Sequence, residues 1–505
     1  DLNKPFDSAA NKDKLVRSGS KGSPKAPVVG DSKYFWVSDL EYGSDYQIPA
    51  RLAYSGSKAN VWVHNNEISN SQAAQLGMEF DNKIHTSVTN NFSTESDVNA
   101  DGKVNILTFD IQDGFSGSGG YVAGYFWAGD LYNVTASNNT EIFYIDSDPA
   151  MGTGTTKDVT QAYETIAHEF QHMVNFNRNV LIEGSSENMD TWLNESLSMA
   201  AEQVYSGVGL SDRVDYYNAA TSITNGHSLL YWDDYGDTLS NYSLSYLFGQ
   251  YIKIQTGQGD RIFKEILNDP SNDYKAIENV AKKYISPNMT FGKLMTYFRI
   301  ALLFKEPSGI YGFKGDPFFN ALEEKIYTGS SQNLRGGGAV VTTFNSKDGF
   351  TIPTSKGPNI TYSTFNMVEG PGEVDLTPPP APVVNAVTNA DTTVTGTTEA
   401  NATVKVYVGT QQLGSAKADT KGKFTVTIPV QNIGVKLLVT ATDAAGNVSV
   451  AKEVTVTKAP PAAPTVNPVT QADKIVTGKA ITNSIVYVKS GSTVLGSAKT
   501  TPQGN

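Results

Sequence analysis

The sequence predicts an α+β region over residues 1–375, followed by all-β sandwich modules. Three observations carry this. Alternating apolar residues dominate to about residue 158, and helical periodicity replaces them from Val159 almost to Tyr327. Beyond a proline-rich stretch the composition turns to Val, Thr, Ala and Gly, and then the sequence repeats itself.

A chain of 505 residues, 39% hydrophobic and 18% charged, is too long for one core, and roughly two to four domains are expected at about one per 150 residues. It has no cysteine, which excludes disulfide frameworks, thiolate metal sites, iron–sulfur clusters and a cysteine nucleophile. Any metal must therefore sit on His and carboxylates. The net charge is −12, yet Ala381–Lys458 carries five acids against seven bases and the remainder one acid, Asp473, against four lysines, which leaves residues 1–380 at −17. Such an acidic front is a poor nucleic-acid binder and a good home for cations. No apolar run approaches the roughly 18 residues of a membrane span; Phe298–Phe304 is too short and contains Arg299. The chain begins at Asp1 without a signal-like apolar segment, which suits a mature secreted form, although a cut-down fragment would begin the same way.

Taken in order, Tyr46–His64 alternates like a hairpin, Ser71–Thr89 has helical periodicity, and Val104–Ile111, Gly120–Tyr132 and Glu141–Asp146 have strand patterns. The helical stretch from Val159 is punctuated at Pro270, Pro287 and Pro307. Residues 376–382 (LTPPPAP) form a stiff linker, because stacked prolines forbid helix. Residues 383–458 then read as a β-sandwich, with strands such as Ala402–Val408 and Lys423–Ile428. Ala381–Gly422 returns as Ala463–Gly504 at an offset of 82, after a second proline linker at Ala459–Pro464. The second copy, 459–505, stops about half way, which predicts an open, incomplete sandwich belonging to a longer chain.

His168-Glu169-Phe170-Gln171-His172 is the strongest chemical signal. On a helix the two imidazoles, four residues apart, stack on one face at a spacing that grips one zinc ion, and Glu169 reaches a water in the same arc. Tyr163, Ile166, Ala167, Phe170 and Val174 supply the opposite, core-facing side. Catalytic zinc takes three protein ligands and leaves one position open, so the third ligand comes from His64, His85, His227 or a carboxylate. Glu195, 23 residues after His172 in Trp192-Leu193-Asn194-Glu195-Ser196, lies on a second helix whose buried stripe is Leu193, Leu197, Ala200 and Val204. The polar stretch Arg178–Asp190 is long enough to connect the two as antiparallel helices. Glu202, one heptad on, could support a ligand histidine, but its pattern places it at the surface.

Thr165–Phe176 (TIAHEFQHMVNF), Thr191–Glu202 (TWLNESLSMAAE) and Asn241–Phe248 (NYSLSYLF) together resemble the hyicolysin family of secreted bacterial zinc metallopeptidases, in the gluzincin clan that includes thermolysin. Gly119–Tyr132 and Phe143–Pro149 resemble the same family's approach to the zinc helix, so the resemblance covers roughly residues 30–330. It implies a zincin-like catalytic region, immunoglobulin-like repeats behind it, His168, His172 and Glu195 as zinc ligands, and Glu169 as general base of a secreted endopeptidase acting on proteins or peptides. Clan relatives hold the oxyanion with a Tyr or His from a later helix. Here Tyr242 is the first choice, with His227 and Tyr246 behind it. Thermolysin's Asp four residues beyond the ligand Glu, which buttresses a histidine, is replaced by Met199. An aminopeptidase of the same clan would need carboxylates to hold a free amine, and no motif for them precedes the zinc helix. A surface adhesin with a relict metal site is the reading from another class, and intact Glu169 argues against it. The repeats would serve as spacers or bind a cell-surface or wall ligand.

A second constellation, Asp97, Asn99, Asp101 and Asn105 at loop positions one, three, five and nine, with Gly102 at six and Lys103 at seven, matches an EF-hand-like calcium loop. Position twelve is Thr108, so Asp110 or Asp113 would have to supply the missing acid. The run Arg335-Gly336-Gly337-Gly338 lacks a following Lys-Ser/Thr and is a turn, not a phosphate cradle. Asp233-Asp234, beside Trp232, is expected to cap a helix.

Overall fold

A computed structural model describes residues 5–17, 26–232, 234–345, 351–354 and 356–505. The chain divides into two compact units, Asp1–Val374 and Asp375–Asn505.

The first unit is built on strands β1 (Ser32–Asp39), β2 (Ser44–Ser55), β3 (Ala59–His64), β4 (Val104–Phe109), β5 (Gly124–Phe126) and β6 (Ile142–Asp146). They lie in the order β1-β2-β3-β4-β6-β5. The β1–β2–β3 meander is antiparallel, β3, β4 and β6 run parallel, and β5 closes the edge antiparallel to β6. Every residue of β4 and β6 is buried, as expected of parallel strands covered on both faces. One face of the sheet carries an apolar layer that includes Phe35, Leu52, Trp62, Leu107 and Tyr144.

The crossover from β3 to β4 is helical. Helix α1 (Asn70–Glu79) starts at a reciprocal cap in which Ser69 Oγ accepts the Gln72 N–H and Gln72 Oε1 accepts the Ser69 N–H. It widens into a π segment, Phe80–Ile84, before α2 (His85–Asn91), so the helix expected over Ser71–Thr89 is present but interrupted. Two expectations need correction. Ser32–Asp39, unassigned from sequence, forms β1, because pairing with β2 rather than strict alternation organises its burial. Gly120–Tyr132, expected as a strand, gives the three-residue β5 and a 3₁₀ turn at Ala128–Leu131.

Helices fill the rest: α3 (Tyr163–Phe176), α4 (Thr191–Ser206), α5 (Ser211–Ala219), α6 (Thr221–Thr224), α7 (Thr238–Thr256), α8 (Arg261–Leu267), α9 (Tyr274–Tyr284) and α10 (Phe291–Phe304). The last three each end shortly before one of the three prolines. The stretch expected as a loop from Arg178 continues α3 as a π segment to Ile182, and only then turns back to α4. Among the described residues no helix is long and apolar enough to cross a membrane.

The second unit holds an immunoglobulin-like sandwich. Its strands are β7 (Val383–Val384), β8 (Thr393–Thr397), β9 (Thr403–Val408), β10 (Gln411–Lys417), β11 (Lys423–Thr427), β12 (Lys436–Thr442) and β13 (Lys452–Thr455). Sheets β11-β8-β7 and β10-β9-β12-β13 enclose Val394, Val404, Val406, Val426, Leu437 and Val439. The partial repeat makes two hairpin-like pairs, β14 (Thr465–Val466) with β15 (Gly478–Lys479), and β16 (Ile485–Ser490) with β17 (Thr493–Lys499). Val394 is 0% exposed while its repeat counterpart Val476 is 40% exposed, so the half sandwich encloses no core.

Candidate active site

Helix α3 packs on β5 and β6 and against α4. Ile166, Ala167, Phe170 and Val174 are fully buried, and Phe170 stacks on His85 at 5.4 Å and meets Phe80 edge-on at 4.9 Å. This anchoring turns His168 and His172 toward α4, and with Glu169 they form a cluster able to hold a metal. The two imidazoles cross at 78° with centroids 4.7 Å apart.

Helix α4 delivers Glu195 to the pair. Its Oε2 lies 3.1 Å from His168 Nε2 and 3.6 Å from His172 Nε2. The other histidines lie elsewhere. His64 Nδ1 donates to Pro49 O, His85 pairs with Glu95 at 2.7 Å, and His227 Nε2 lies 2.9 Å from Asn241 Oδ1. Each ligand-face histidine has its far nitrogen engaged. His168 Nδ1 is 2.6 Å from Glu202 Oε1, so the surface position expected of Glu202 is wrong, and the side chain is only 12% exposed. It does for His168 what the fully buried thioether of Met199 cannot do. His172 Nδ1 donates to Asn194 Oδ1 at 3.0 Å, with Ser198 Oγ at 3.0 Å beside it and Gln171 Oε1 accepting from Ser198. Asn194 and Ser198 belong to the Asn-Glu-x-x-Ser pattern around Glu195 in the sequence, which does not by itself reveal their contact with His172.

The donor chemistry asks for a cation. Burial disfavours charge on His168, yet hydrogen bonds to Glu195 and Glu202 raise its imidazole to about 10. Burial would lift Glu195, but the charge of His172 and the hydrogen bond from His168 hold it well below the usual carboxylate range. The two carboxylates call for positive charge between them, and His172 Nε2, buried with no hydrogen-bond partner, lies 3.6 Å from the same Glu195 oxygen. Two imidazole nitrogens and a carboxylate oxygen are the donor types of a catalytic zinc site, so the residues present fit that ion.

Glu169 is 0% exposed and neither of its carboxylate oxygens has a hydrogen-bond partner. Burial pushes its carboxyl up to about 7. Its neighbour Gly124 on β5 is a contact that sequence reading missed: a Cβ there would stand 3.0 Å from Glu169 Cγ.

Tyr242 sits in the first turns of α7, 5% exposed, with Trp232 edge-on at 4.9 Å and the Arg213 guanidinium 5.1 Å from its ring centre. Burial, reinforced by the charges of Glu195, Glu169 and Glu202, holds its phenol well above the ordinary value, so it stays a proton donor. The Tyr246 hydroxyl is engaged within the fold: it donates to Gln203 at 2.7 Å and accepts the Leu210 N–H at 2.9 Å.

The calcium ligands expected from sequence do not converge as a set. Asp97, Asn99 and Asp101 with Lys103 form a loop, but Asn105 turns into the sheet, where it takes the Trp62 indole N–H at 2.9 Å. Thr108 is buried and donates to Trp62 O. Asp110 lies past the far end of β4, about 20 Å of strand from the loop, and Asp113 accepts the N–H groups of Phe115 and Val122. Of the expected helix cap, Asp233 lies outside the described residues and Asp234 is in a turn; Asp237 caps α7 by accepting the Ser240 N–H. Gly336 and Gly337 form a turn.

Residues 51–318 match the Peptidase M30 family, and residues 378–458 match the Bacterial Ig domain family. The neutral metalloprotease ShpI of Staphylococcus hyicus is 43% identical over 359 residues, covering 71% of this chain and 80% of that protein. The chain belongs to the Peptidase M30 family. Solved structures resemble this M30 peptidase only distantly. The BSP domain of a biofilm associated protein is 24% identical over 24% of this chain and 22% of its own, with a TM-score of 0.15. The M60 catalytic domain with CBM51 domains of Clostridium perfringens ZmpB is 10% identical over 86% of this chain and 40% of its own, with a TM-score of 0.26.

Proposed function

We propose that this M30 metalloprotease is a secreted zinc endopeptidase in which His168, His172 and Glu195 hold the ion and Glu169 is the general base. The observation that carries the reading is the approach of both Nε2 atoms to Glu195 Oε2, beside a buried Glu169 carboxylate without a partner. Zinc there would supply Lewis-acid polarisation of the scissile carbonyl and acidify water. Glu169 takes the proton of the attacking water and returns it to the departing amine. The Tyr242 hydroxyl donates to the oxyanion as the carbonyl carbon becomes tetrahedral. Glu202 and Asn194 hold the imidazoles in one orientation and one tautomer, with Nε2 turned inward.

The same reading has residues 1–375 as the peptidase and 376–382 as a linker. It makes 383–458 and 459–505 immunoglobulin-like modules that space the enzyme from a cell-surface or wall ligand, or bind it. Glu169→Gln tests the chemistry: zinc content and melting temperature should hold while peptide hydrolysis falls by several orders of magnitude. Near-normal turnover would overturn the mechanism. Cleavage of an internally quenched peptide blocked at both ends supports the endopeptidase, whereas activity confined to free amino termini assigns an aminopeptidase.

A further inference from the structure

Arg299 lies on α10, and the zinc chemistry makes no use of it. Its Nη2 donates to His227 O at 3.0 Å and to Gly337 O at 2.5 Å, whereas its Nε is buried with no hydrogen-bond partner. Carbonyl oxygens satisfy N–H groups without cancelling the charge, and a cation taken out of water is costly unless an anion accompanies it. Among the described residues no carboxylate pairs with this guanidinium, and the titratable group that acts on it is the Tyr217 phenol. Burial pulls the guanidinium down to about 10.

A second cation stands at the same place. Lys325 Nζ donates to the carbonyls of Asn218 and Ala220, the latter at 3.3 Å, and lies 5.6 Å from the centre of the Tyr217 ring. Burial lowers this ammonium too, and the acid that acts on it, Glu323, is exposed. Arg299 and Lys325 line one cavity of about 30 Å³, walled otherwise by Tyr217, Thr224 and apolar side chains such as Ile223 and Leu302, with no acid among its lining residues. We propose that Arg299 and Lys325 hold a chloride ion in this cavity. The volume decides the class, because space for about two waters admits a monatomic anion and excludes a phosphate or a peptide carboxylate. The apolar walls keep the local dielectric low, which strengthens the attraction of one small anion to two fixed cations.

The ion would act on the segment that Arg299 holds. The guanidinium ties His227 O to Gly337 O, and from the same segment His227 Nε2 lies 2.9 Å from Asn241 Oδ1 while Asn241 Nδ2 donates to Tyr231 O at 2.8 Å. Asn241 immediately precedes Tyr242 on α7. An anion that fixes the guanidinium therefore steadies the loop bracing the start of α7, a role that goes beyond the zinc chemistry and does not depend on it.

The test uses the whole chain, zinc-loaded and carrying Glu169→Gln against self-digestion, melted in sodium gluconate while sodium chloride replaces it at constant ionic strength, which holds general screening fixed. Gluconate is too large for the cavity, so chloride should raise the melting temperature with the logarithm of its concentration above the dissociation constant. Lys325→Met, which keeps an apolar stem and removes the charge, should lose that response, whereas Lys283→Met, at an exposed lysine on α9, should keep it. A crystal soaked in sodium bromide should show an anomalous peak between Arg299 and Lys325, and this position alone decides if Lys325→Met does not fold. A melting temperature indifferent to chloride overturns the site, as does an undiminished response in Lys325→Met or bromide bound only elsewhere.

Discussion

Glu202 Oε1 stands 2.6 Å from His168 Nδ1, one heptad beyond Glu195 on the same helix. Seven residues are close to two helical turns, so the carboxylate facing one nitrogen of the imidazole and the carboxylate facing the other come from one rigid element. The distance between them is set by α4, and the ring is held between.

Glu202→Ala should therefore weaken zinc binding more than it weakens the fold, by about 10–100-fold in dissociation constant. Competition against a chromogenic chelator reads this directly, without reference to turnover. Glu202→Gln, whose carbonyl still accepts from Nδ1, should recover part of the loss. Equal zinc affinity in Glu202→Ala and the parent would leave the pair a passive contact.

Tyr242→Phe should lower kcat by about 10²-fold with little change in KM, because the hydroxyl acts mainly on charge that develops at the oxyanion. Tyr246→Phe is the control. Its hydroxyl ties Leu210 to Gln203, so its loss should lower the melting temperature and spare kcat. A large kcat effect at His227→Ala with none at Tyr242→Phe would reassign the donor.

Truncation after Val374 should leave hydrolysis of a small soluble peptide unchanged, since every residue named in the site belongs to the unit Asp1–Val374. The measurement is kcat/KM on one peptide for both lengths. An unfolded or inactive short form would place essential contacts beyond the linker.

The parts of this molecule that were legible in sequence are those where one local rule decides. His168 and His172 share a face because four residues make about one helical turn, and stacked prolines end structure wherever they fall. What escaped depended on partners distant in sequence. Ser32–Asp39 becomes a strand through its pairing with Ser44–Arg51, not through a strict alternation of its own. Glu202 looks like a surface acid until α3 is laid beside α4. Asn105 reads as the ninth position of a calcium loop until the parallel pairing of β4 with its neighbours turns it into the sheet, where it takes the Trp62 indole N–H.

Gly124 is the sharpest case of such a distant constraint, and it carries the last prediction. It opens the edge strand β5 against α3, where a Cβ would stand 2.8 Å from Tyr144 O, 3.0 Å from Glu169 Cγ and 3.0 Å from Thr165 Cγ2. The Tyr144 carbonyl belongs to β6 and cannot yield without disturbing the ladder, so an added methyl must displace the strand or the glutamate. Overpacking of this kind costs about 1–3 kcal/mol, and part of that strain would appear as movement of the Glu169 carboxylate. Gly124→Ala should keep its zinc, because His168, His172 and Glu195 lie on α3 and α4, while kcat falls by about 10-fold or more for a misplaced base. Metal analysis beside steady-state kinetics separates the two effects. Full activity in a zinc-replete Gly124→Ala protein would mean that the approach of β5 to Glu169 has no bearing on catalysis.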